Sequence, residues 1–210
     1  QMVGGRRVTD KQTLDVTTMV LNGKINTRIL AACRDLHLPA IGISGVDAGL
    51  IRAHKRPPVE VEGHAGGPVD FGYVGDIDSV DTDVVRAQLD NGMVPIVSPL
   101  SADDSGTVLN INADTVAAAL ATALGASKLI LTMGAPGILE DRHNPSSLVS
   151  YLDLEDLQEL RTNGSLAEGM LPKARAIEAA IKGGVPRVHL ISYKIPDSLV
   201  IIGQLGIGRW

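Results

Sequence analysis

Aromatic residues are scarce in this chain of 210 residues: phenylalanine and tryptophan occur once each and tyrosine three times. The formal net charge is −5 at pH 7. Proteins that bind single-stranded nucleic acids rely on aromatic stacking and a positively charged groove, and duplex binding requires lysines and arginines that neutralise phosphates. The composition therefore predicts that the partner is not a nucleic acid.

Cysteine and long apolar runs are also lacking. The single cysteine, Cys33, excludes an internal disulfide and a thiolate metal site, and it lies in an apolar run typical of a helix face. No apolar run approaches the roughly 20 residues that cross a bilayer, and no signal-peptide core follows the polar start of the chain. We therefore expect a soluble, cytoplasmic protein in a reducing compartment, without membrane contact.

Helix and strand patterns alternate along the chain. Short apolar runs bounded by glycine or proline predict buried strands, and amphipathic or Ala-rich stretches between them predict helices. Residues 51–75, rich in proline, glycine and charge, predict a surface hairpin with its tip at residues 63–68. Strands that alternate with helices favour a mainly parallel sheet covered on both faces. We predict an α/β fold in a single domain over residues 1–210.

Two helices are predicted before the first buried strand. The residues Thr9 to Gln12 have the spacing of a capping box, and the helix that follows should stop at Asn22 and Gly23. A second helix is predicted from about residue 26 to residue 37, ahead of a strand at residues 40–43.

A polar cluster lies where a short strand runs into the Ala-rich helix that should begin near Thr115. Asn110, Asn112 and Asp114 lie two residues apart, so their side chains leave the same face of an extended chain. Asp114 is close to the helix start, where exposed N–H groups and the helix dipole favour anions. The pattern favours a polar ligand site. The alternative is an ordinary aspartate cap preceded by asparagine turn residues.

Two further segments have features of ligand sites. Pro172 starts a helix and places Lys173 in its first turn, where a cation is disfavoured unless it binds an anion such as phosphate. The alternative is a solvated surface lysine. Residues 134–139 form a Gly/Pro loop after a predicted strand, and such loops bind ligands in α/β proteins. The loop has no Walker A spacing, and no Gly-x-Gly-x-x-Gly motif follows a predicted strand.

Five short segments, taken in order, resemble the amino-acid kinase family and within it the acetylglutamate kinases: residues 5–10, 75–77, 110–114, 135–139 and 169–173. The resemblance implies a three-layer α/β/α sandwich that transfers the γ-phosphoryl group of ATP to the side-chain carboxylate of N-acetyl-L-glutamate. The product, N-acetylglutamyl 5-phosphate, belongs to arginine biosynthesis. Mg²⁺ would come with ATP, and no residue of the chain is assigned as a metal ligand.

The resemblance also implies roles for individual residues. Lys173 matches a catalytic lysine, and Asp114 matches the aspartate that orients the catalytic lysines. Arg7 matches an arginine that pairs with a substrate carboxylate, for which its planar guanidinium is suited. Asn110 matches the substrate-binding asparagine, and Asn112 would help to hold the same corner. The nucleotide-binding segments of the family match Gly134, Ala135, Pro136, Gly137, Ile138, Leu139, Ser165, Leu166 and Ala167.

The chain also departs from the family pattern. The family's first strand, with another catalytic lysine and a Gly-rich loop, would precede Gln1, so we expect an N-terminally incomplete domain. Met133 and Gly134 stand where many members have threonine and aspartate, which leaves the nucleotide to backbone contacts.

Two other functions are compatible with the resemblance. The first is a kinase that phosphorylates carrier-protein-linked aminoadipate in lysine biosynthesis. The acidic run at residues 76–81 disfavours this function. The second is a catalytically incomplete relative that binds nucleotides or regulates a partner. The resemblance further implies a homo-oligomer, either a dimer or a hexamer. Arginine feedback and binding of a PII-type regulator are left open by these residues.

Overall fold

The computed structural model describes residues 2–3, 6–61, 65–135, 137–139, 144, 147–164, 166 and 168–197. The chain divides into two compact units, Gln1–Leu124 and Gly125–Trp210. None of the helices in the described residues combines the length and the apolar character that a membrane crossing requires.

Strands and helices alternate in both units, as the sequence predicts. The strands of the first unit are β1 (Met2–Val3), β2 (Arg6–Arg7), β3 (Ala40–Ser44), β4 (Ile51–Lys55), β5 (Gly75–Val80), β6 (Val94–Ser98), β7 (Leu100–Ala102) and β8 (Val108–Asn110). Its helices are α1 (Lys11–Thr18), α2 (Asn26–Asp35), α3 (Asp83–Asp90) and α4 (Ala113–Leu124). The second unit contains β9 (Leu129–Met133), α5 (Leu154–Thr162), α6 (Leu171–Lys182) and β10 (Val188–Ser192).

The prediction of two separate helices before β3 is wrong, because a π-helical stretch at Met19–Ile25 joins α1 directly to α2. The predicted cap is also shifted by one residue. The Asp10 carboxylate, not the Thr9 hydroxyl, caps α1 by accepting a hydrogen bond from the Thr13 N–H at 2.7 Å. This hydrogen bond lowers the pKa of Asp10.

Two asparagines of this long helical run hold it against the parallel pair β3–β6. Asn26 is buried and donates from Nδ2 to the carbonyl oxygen of Ile96 at 3.1 Å. Asn22 accepts a hydrogen bond from the hydroxyl of Ser98. Gly42 makes room for this packing, since a Cβ there would overlap the amide of Asn26. These polar contacts account for a helix that continues through Asn22 and Gly23 instead of stopping there.

The hairpin predicted over residues 51–75 is present. β4 pairs with β5 in antiparallel orientation, and Val59 bridges Val69 beyond the strand ends. Of the predicted tip, residues 63 and 64 lie outside the described residues. β4 also pairs with β7, which forms a second hairpin with β8. The carboxylate of Asp103 organises the second turn by accepting the N–H groups of Ser105 and Thr107, each at 2.9 Å.

The main core of the first unit lies between this sheet and two helices. Leu50, Ile51 and Leu109 from the sheet region pack with Val85 of α3 and Val116 of α4. All five side chains are buried, and burial of such apolar surface is the main favourable term in folding. The core therefore fixes the point where β8 hands over to α4.

In the second unit, β9 and β10 pair in parallel along their full lengths. Glu178 of α6 joins this helix to α5, because its carboxylate accepts a hydrogen bond from Gln158 of α5 at 2.8 Å. The same carboxylate also accepts a hydrogen bond from Lys182 of its own helix at 2.6 Å. The Lys182 ammonium is the largest cause of a lowered pKa for Glu178. Together with the pair β3–β6, the pairing of β9 with β10 confirms the α/β class.

Gly72 provides a test of close packing in the first unit. Its φ is +73°, and a Cβ there would overlap the carbonyl oxygen of Thr9. We expect Gly72→Ala to lower the free energy of unfolding by about 2 kcal/mol or more, because backbone strain and overpacking each cost about 1 kcal/mol or more. Urea unfolding followed by circular dichroism measures the loss.

Gly106→Ala is the matched control for this variant. Gly106 has a similar φ of +83°, but nothing lies within 4 Å of the position that its Cβ would take. This control should lose only about 1 kcal/mol, the cost of the left-handed conformation alone. Equal losses in the two variants would contradict the steric role of Gly72.

Candidate functional site

The corner between β8 and α4 is joined to the N-terminal segment of the chain through Thr9. Asn110 donates from Nδ2 to the Thr9 hydroxyl oxygen at 3.2 Å, across 101 residues of sequence. Thr9 is fully buried; its N–H donates to Phe71 at 2.9 Å, and its carbonyl oxygen accepts from the Tyr73 N–H at 2.7 Å. Tyr73 in turn accepts the backbone N–H of Asn110 at 2.8 Å. Three separate segments therefore meet at Asn110.

Arg7 lies on β2, two residues before Thr9, and its side chain is exposed. Two residues of chain separate Cα atoms by at most about 7 Å. Because Thr9 contacts Asn110 directly, the structure brings the segment of Arg7 together with Asn110.

Asn112 is the N-cap of α4. The sequence offers Asp114 as a possible cap, with the asparagines as turn residues. The Asn112 Oδ1 accepts a hydrogen bond from the Thr115 N–H at 3.1 Å, and the Asn112 carbonyl oxygen accepts from the Val116 N–H at 3.0 Å. Asp114 lies in the first turn of the helix and is half-buried. The interpretation of Asp114 as an ordinary cap is therefore wrong, because the cap position belongs to Asn112.

The alternation predicted for this segment holds as far as Asn112. Leu109 and Ile111 are buried, Asn110 is half-buried and Asn112 is exposed. Asp114 does not continue the pattern, because helical geometry begins at Ala113 and changes the side-chain period. The helix start nevertheless places a carboxylate four residues after Asn110.

Lys173 belongs to the second unit, where it lies in the first turn of α6 as predicted. Pro172 occupies the neighbouring first-turn position, and a short 3₁₀ turn at Glu168–Met170 precedes the helix. Lys173 is half-buried. The Glu178 contacts to α5 fix the same helix one turn further along, so the backbone that carries Lys173 is well anchored.

The Gly/Pro loop follows the carboxyl end of β9. Its outer part turns back on residues 147–149: Leu139 bridges Leu148, and Ile138 accepts the Val149 N–H at 2.9 Å. A Cβ on Gly137 would come within 2.7 Å of the Leu148 side chain. Gly134 and Ala135 are the first two residues of the loop. Two other predicted nucleotide-binding residues are buried, Ile138 in the loop and Leu166 further along the chain. The predicted residues Pro136, Ser165 and Ala167 lie outside the described residues.

Sequence reasoning missed Tyr193, which lies beside the start of this loop. A Cβ on Gly134 would come within 2.8 Å of the Tyr193 hydroxyl. The signal available in the sequence was a rare aromatic residue, and in the structure it follows β10 directly.

The acidic run at residues 76–81 is partly neutralised by Arg56, which follows strand β4. Arg56 donates to Asp76 at 3.0 Å from Nε and at 2.5 Å from Nη2, and His54 lies 2.7 Å from Asp78. In the described part of the chain, no three His, Cys, Asp or Glu side chains group closely enough to hold a metal ion.

Comparison with known proteins adds independent evidence. A family model described as the amino acid kinase family matches residues 2–192. An acetylglutamate kinase from Myxococcus xanthus is 49% identical over 203 residues, which cover 95% of this chain and 66% of that protein. An acetylglutamate kinase from Heliobacterium modesticaldum is 42% identical over 209 residues, covering 98% of this chain and 71% of that protein. The chain thus spans about two thirds of the length of these relatives.

The fold is similar to that of a solved N-acetylglutamate synthase from Neisseria gonorrhoeae, crystallised with coenzyme A and N-acetyl-glutamate. The TM-score is 0.74 at 25% sequence identity, over 95% of this chain and 43% of that one.

The capping role of Asn112 can be tested by stability measurements. Asn112→Ala should lower the free energy of unfolding by about 1 kcal/mol, the usual cost of losing an N-cap. Asn112→Asp should keep most of that stability, because aspartate caps helices as well as asparagine does. Thermal unfolding followed by circular dichroism separates the two variants. An alanine variant as stable as the parent would contradict the capping assignment.

Proposed function

This chain belongs to the amino acid kinase family, and we propose that it transfers the γ-phosphoryl group of ATP to the side-chain carboxylate of N-acetyl-L-glutamate. The products would be N-acetylglutamyl 5-phosphate and ADP, in a step of arginine biosynthesis. Relatives that are 49% and 42% identical over almost the whole chain are acetylglutamate kinases, which supports this substrate.

The observation that carries the proposal is the hydrogen bond between Asn110 and Thr9, which holds Asn110 near the strand segment of Arg7, two residues before Thr9. N-acetylglutamate offers two carboxylates and an amide. A guanidinium binds a carboxylate through two parallel hydrogen bonds, and an asparagine amide provides both donors and an acceptor. The hydrogen bond from Asn110 to Thr9 fixes the orientation of that amide. We assign Arg7 and Asn110 to substrate binding and Asn112 to support of the corner.

In the second unit, the loop after β9 is proposed to bind ATP. Gly134, Ala135, Gly137, Ile138 and Leu139 would act mainly through backbone groups, since successive N–H groups in a loop form concavities that bind anions. Residues 165–167 are proposed to act in the same way, and Pro136, which has no backbone N–H, is proposed to contact the nucleotide through its ring or carbonyl group. Mg²⁺ would be bound chiefly through the phosphates of ATP and water, as is usual for this ion.

Lys173 and Asp114 are proposed as the catalytic side chains. Phosphoryl transfer needs little covalent chemistry, so the protein contributes positioning and stabilisation of the charge on the transferring group. Lys173 belongs to the first turn of α6, where the first N–H groups of the helix also favour an anion. Asp114 would act as the orienting carboxylate of the family.

Assembly and regulation stay predictions for this chain. A homodimer or hexamer is expected only from the family resemblance, and binding of a PII-type regulator is left open. Asp76 and Asp78 contact Arg56 and His54. We still prefer free N-acetylglutamate as the substrate over a substrate that is held on a carrier protein.

Turnover tests the catalytic assignment. ATP consumption with N-acetylglutamate should be measured on the 210-residue chain and on the same chain preceded by a family-type N-terminal strand and Gly-rich loop. In the active form, Lys173→Ala and Asp114→Ala should each lower kcat by about 100-fold or more, which is the usual loss for a group that stabilises transition-state charge. Both variants should stay folded, because neither side chain belongs to the apolar core.

Lys24→Ala and Asp104→Ala are matched controls, since both residues are exposed and lie outside the proposed site. They should keep parental turnover. Unchanged kcat in both site variants would overturn the assignment. Nucleotide binding without any turnover, in either form of the chain, would indicate a regulatory relative in place of a kinase.

The substrate role of Arg7 predicts an uneven effect on the two substrates. Arg7→Ala should raise the KM for N-acetylglutamate about tenfold or more, because hydrogen bonds to charged groups contribute about 1.5–3 kcal/mol. The KM for ATP should change little. Arg28→Ala, which removes an exposed arginine of α2, is the control. Equal changes in the two KM values would argue against the proposed role of Arg7.

A further inference from the structure

Tyr193 continues the parallel pair β9–β10 by one residue and ends beside the Gly/Pro loop. Its backbone N–H donates to the carbonyl oxygen of Met133 at 3.1 Å. The preceding residue, Ser192, is buried. The hydrogen bond and the burial of Ser192 fix the backbone that carries the Tyr193 side chain. Tyr193 follows the carboxyl end of β10, and α/β proteins bind ligands at the carboxyl ends of parallel strands.

The side chain of Tyr193 reaches over Gly134. A Cβ on Gly134 would lie 2.8 Å from the Tyr193 hydroxyl oxygen, 3.3 Å from Cζ and 3.7 Å from Cε1. The phenol end of the ring therefore occupies the space that a side chain at position 134 would need. Glycine at this position allows an aromatic ring to lie directly against the loop backbone.

Most of the Tyr193 ring remains accessible to solvent. The residue is 70% exposed, so its contact with Gly134 covers only one end of it. An aromatic side chain in the core of a domain is normally much more buried, as Phe71 is in the first unit. The exposed ring is available to a flat ligand without any rearrangement of the backbone.

A second apolar side chain flanks the same loop from its other end. Leu148 approaches Gly137 and is 47% exposed. Gly134 and Gly137 are three residues apart, so their Cα atoms are separated by at most about 11 Å. Tyr193 and Leu148 thus approach the loop at Gly134 and Gly137, and each has partly exposed apolar surface.

We propose that Tyr193 contacts the nucleoside part of ATP, with its ring stacked on the base. This inference rests on the proposed function, which places ATP at the loop after β9. Backbone N–H groups recognise phosphates but give no apolar surface for a heterocycle, whereas ligand sites combine a few polar groups with aromatic and aliphatic walls. Tyr193 supplies the aromatic wall and Leu148 the aliphatic one.

Calorimetric titration of the chain with ATP and with inorganic tripolyphosphate tests this role. Tripolyphosphate retains the phosphate contacts but has no base or ribose. Tyr193→Ala should raise the Kd for ATP at least about fivefold, the lower end of the loss expected when one base-stacking aromatic is removed. The Kd of the Tyr193→Ala variant for tripolyphosphate should stay within about twofold of the parental Kd. Tyr193→Phe keeps the ring and should retain the parental affinity for ATP.

Tyr151→Ala is the matched control, because Tyr151 is an equally accessible tyrosine of the same unit, 81% exposed. It should leave both affinities unchanged. Gly134→Ala would displace the Tyr193 ring, so it should weaken ATP binding in the parent but have a much smaller effect when Tyr193 is already alanine.

The outcomes separate this inference from the proposed function. An unchanged affinity of Tyr193→Ala for ATP overturns the base contact while nucleotide binding by the chain stands. An equal loss for ATP and tripolyphosphate also overturns it, since that result indicates a structural role for Tyr193. If the parent chain binds neither ligand, both the inference and the assignment of the loop to ATP fail.

Discussion

The candidate substrate site depends on one buried hydroxyl group, that of Thr9. A buried polar group is costly unless it is hydrogen-bonded. The Thr9 hydroxyl accepts a hydrogen bond from the side chain of Asn110, and the backbone N–H and carbonyl of Thr9 bond the backbones of Phe71 and Tyr73. These contacts join the N-terminal segment, the end of the β4–β5 hairpin and strand β8. The close approach is sterically allowed because residue 72 is glycine. Without this junction, Arg7 and Asn110 would lie on unconnected parts of the first unit.

In the second unit, too, contacts between neighbouring elements position the segments of the candidate site. The parallel pair β9–β10 brings two carboxyl ends together, and small residues there let side chains lie directly on the backbone, as Tyr193 lies on Gly134. The contacts of Glu178 with Gln158 and Arg161 hold α6 against α5 and so fix the backbone that carries Lys173. In each unit a rigid pair of elements positions a polar or Gly-rich segment at its end, which is where function is expected in α/β proteins.

Local signals were sufficient for most elements, and long-range contacts explain the rest. Pro172 correctly predicted that Lys173 lies in a first helical turn, and glycine or proline bounded the strands and hairpins as expected. The sequence around Thr9 offered two capping residues in succession, and Asp10 became the cap because Thr9 is occupied by Asn110, 101 residues away. The helix that passes through Asn22 and Gly23 is likewise fixed by Ser98 and Ile96, from distant β6. Tyr193 meets Gly134 only through the pairing of β9 with β10, so the sequence marks Tyr193 as a rare aromatic residue but does not show its contact with the loop.

Direct detection of the acyl phosphate product tests the central claim, that this fold phosphorylates N-acetylglutamate. The protein, ATP and Mg²⁺ would be incubated with and without N-acetylglutamate in the presence of hydroxylamine, which converts an acyl phosphate to a stable hydroxamate. Our account predicts a hydroxamate of N-acetylglutamate that forms only when ATP and the amino acid derivative are both present. Release of ADP at the same rate without N-acetylglutamate, or binding of both ligands with no hydroxamate formed, would contradict it.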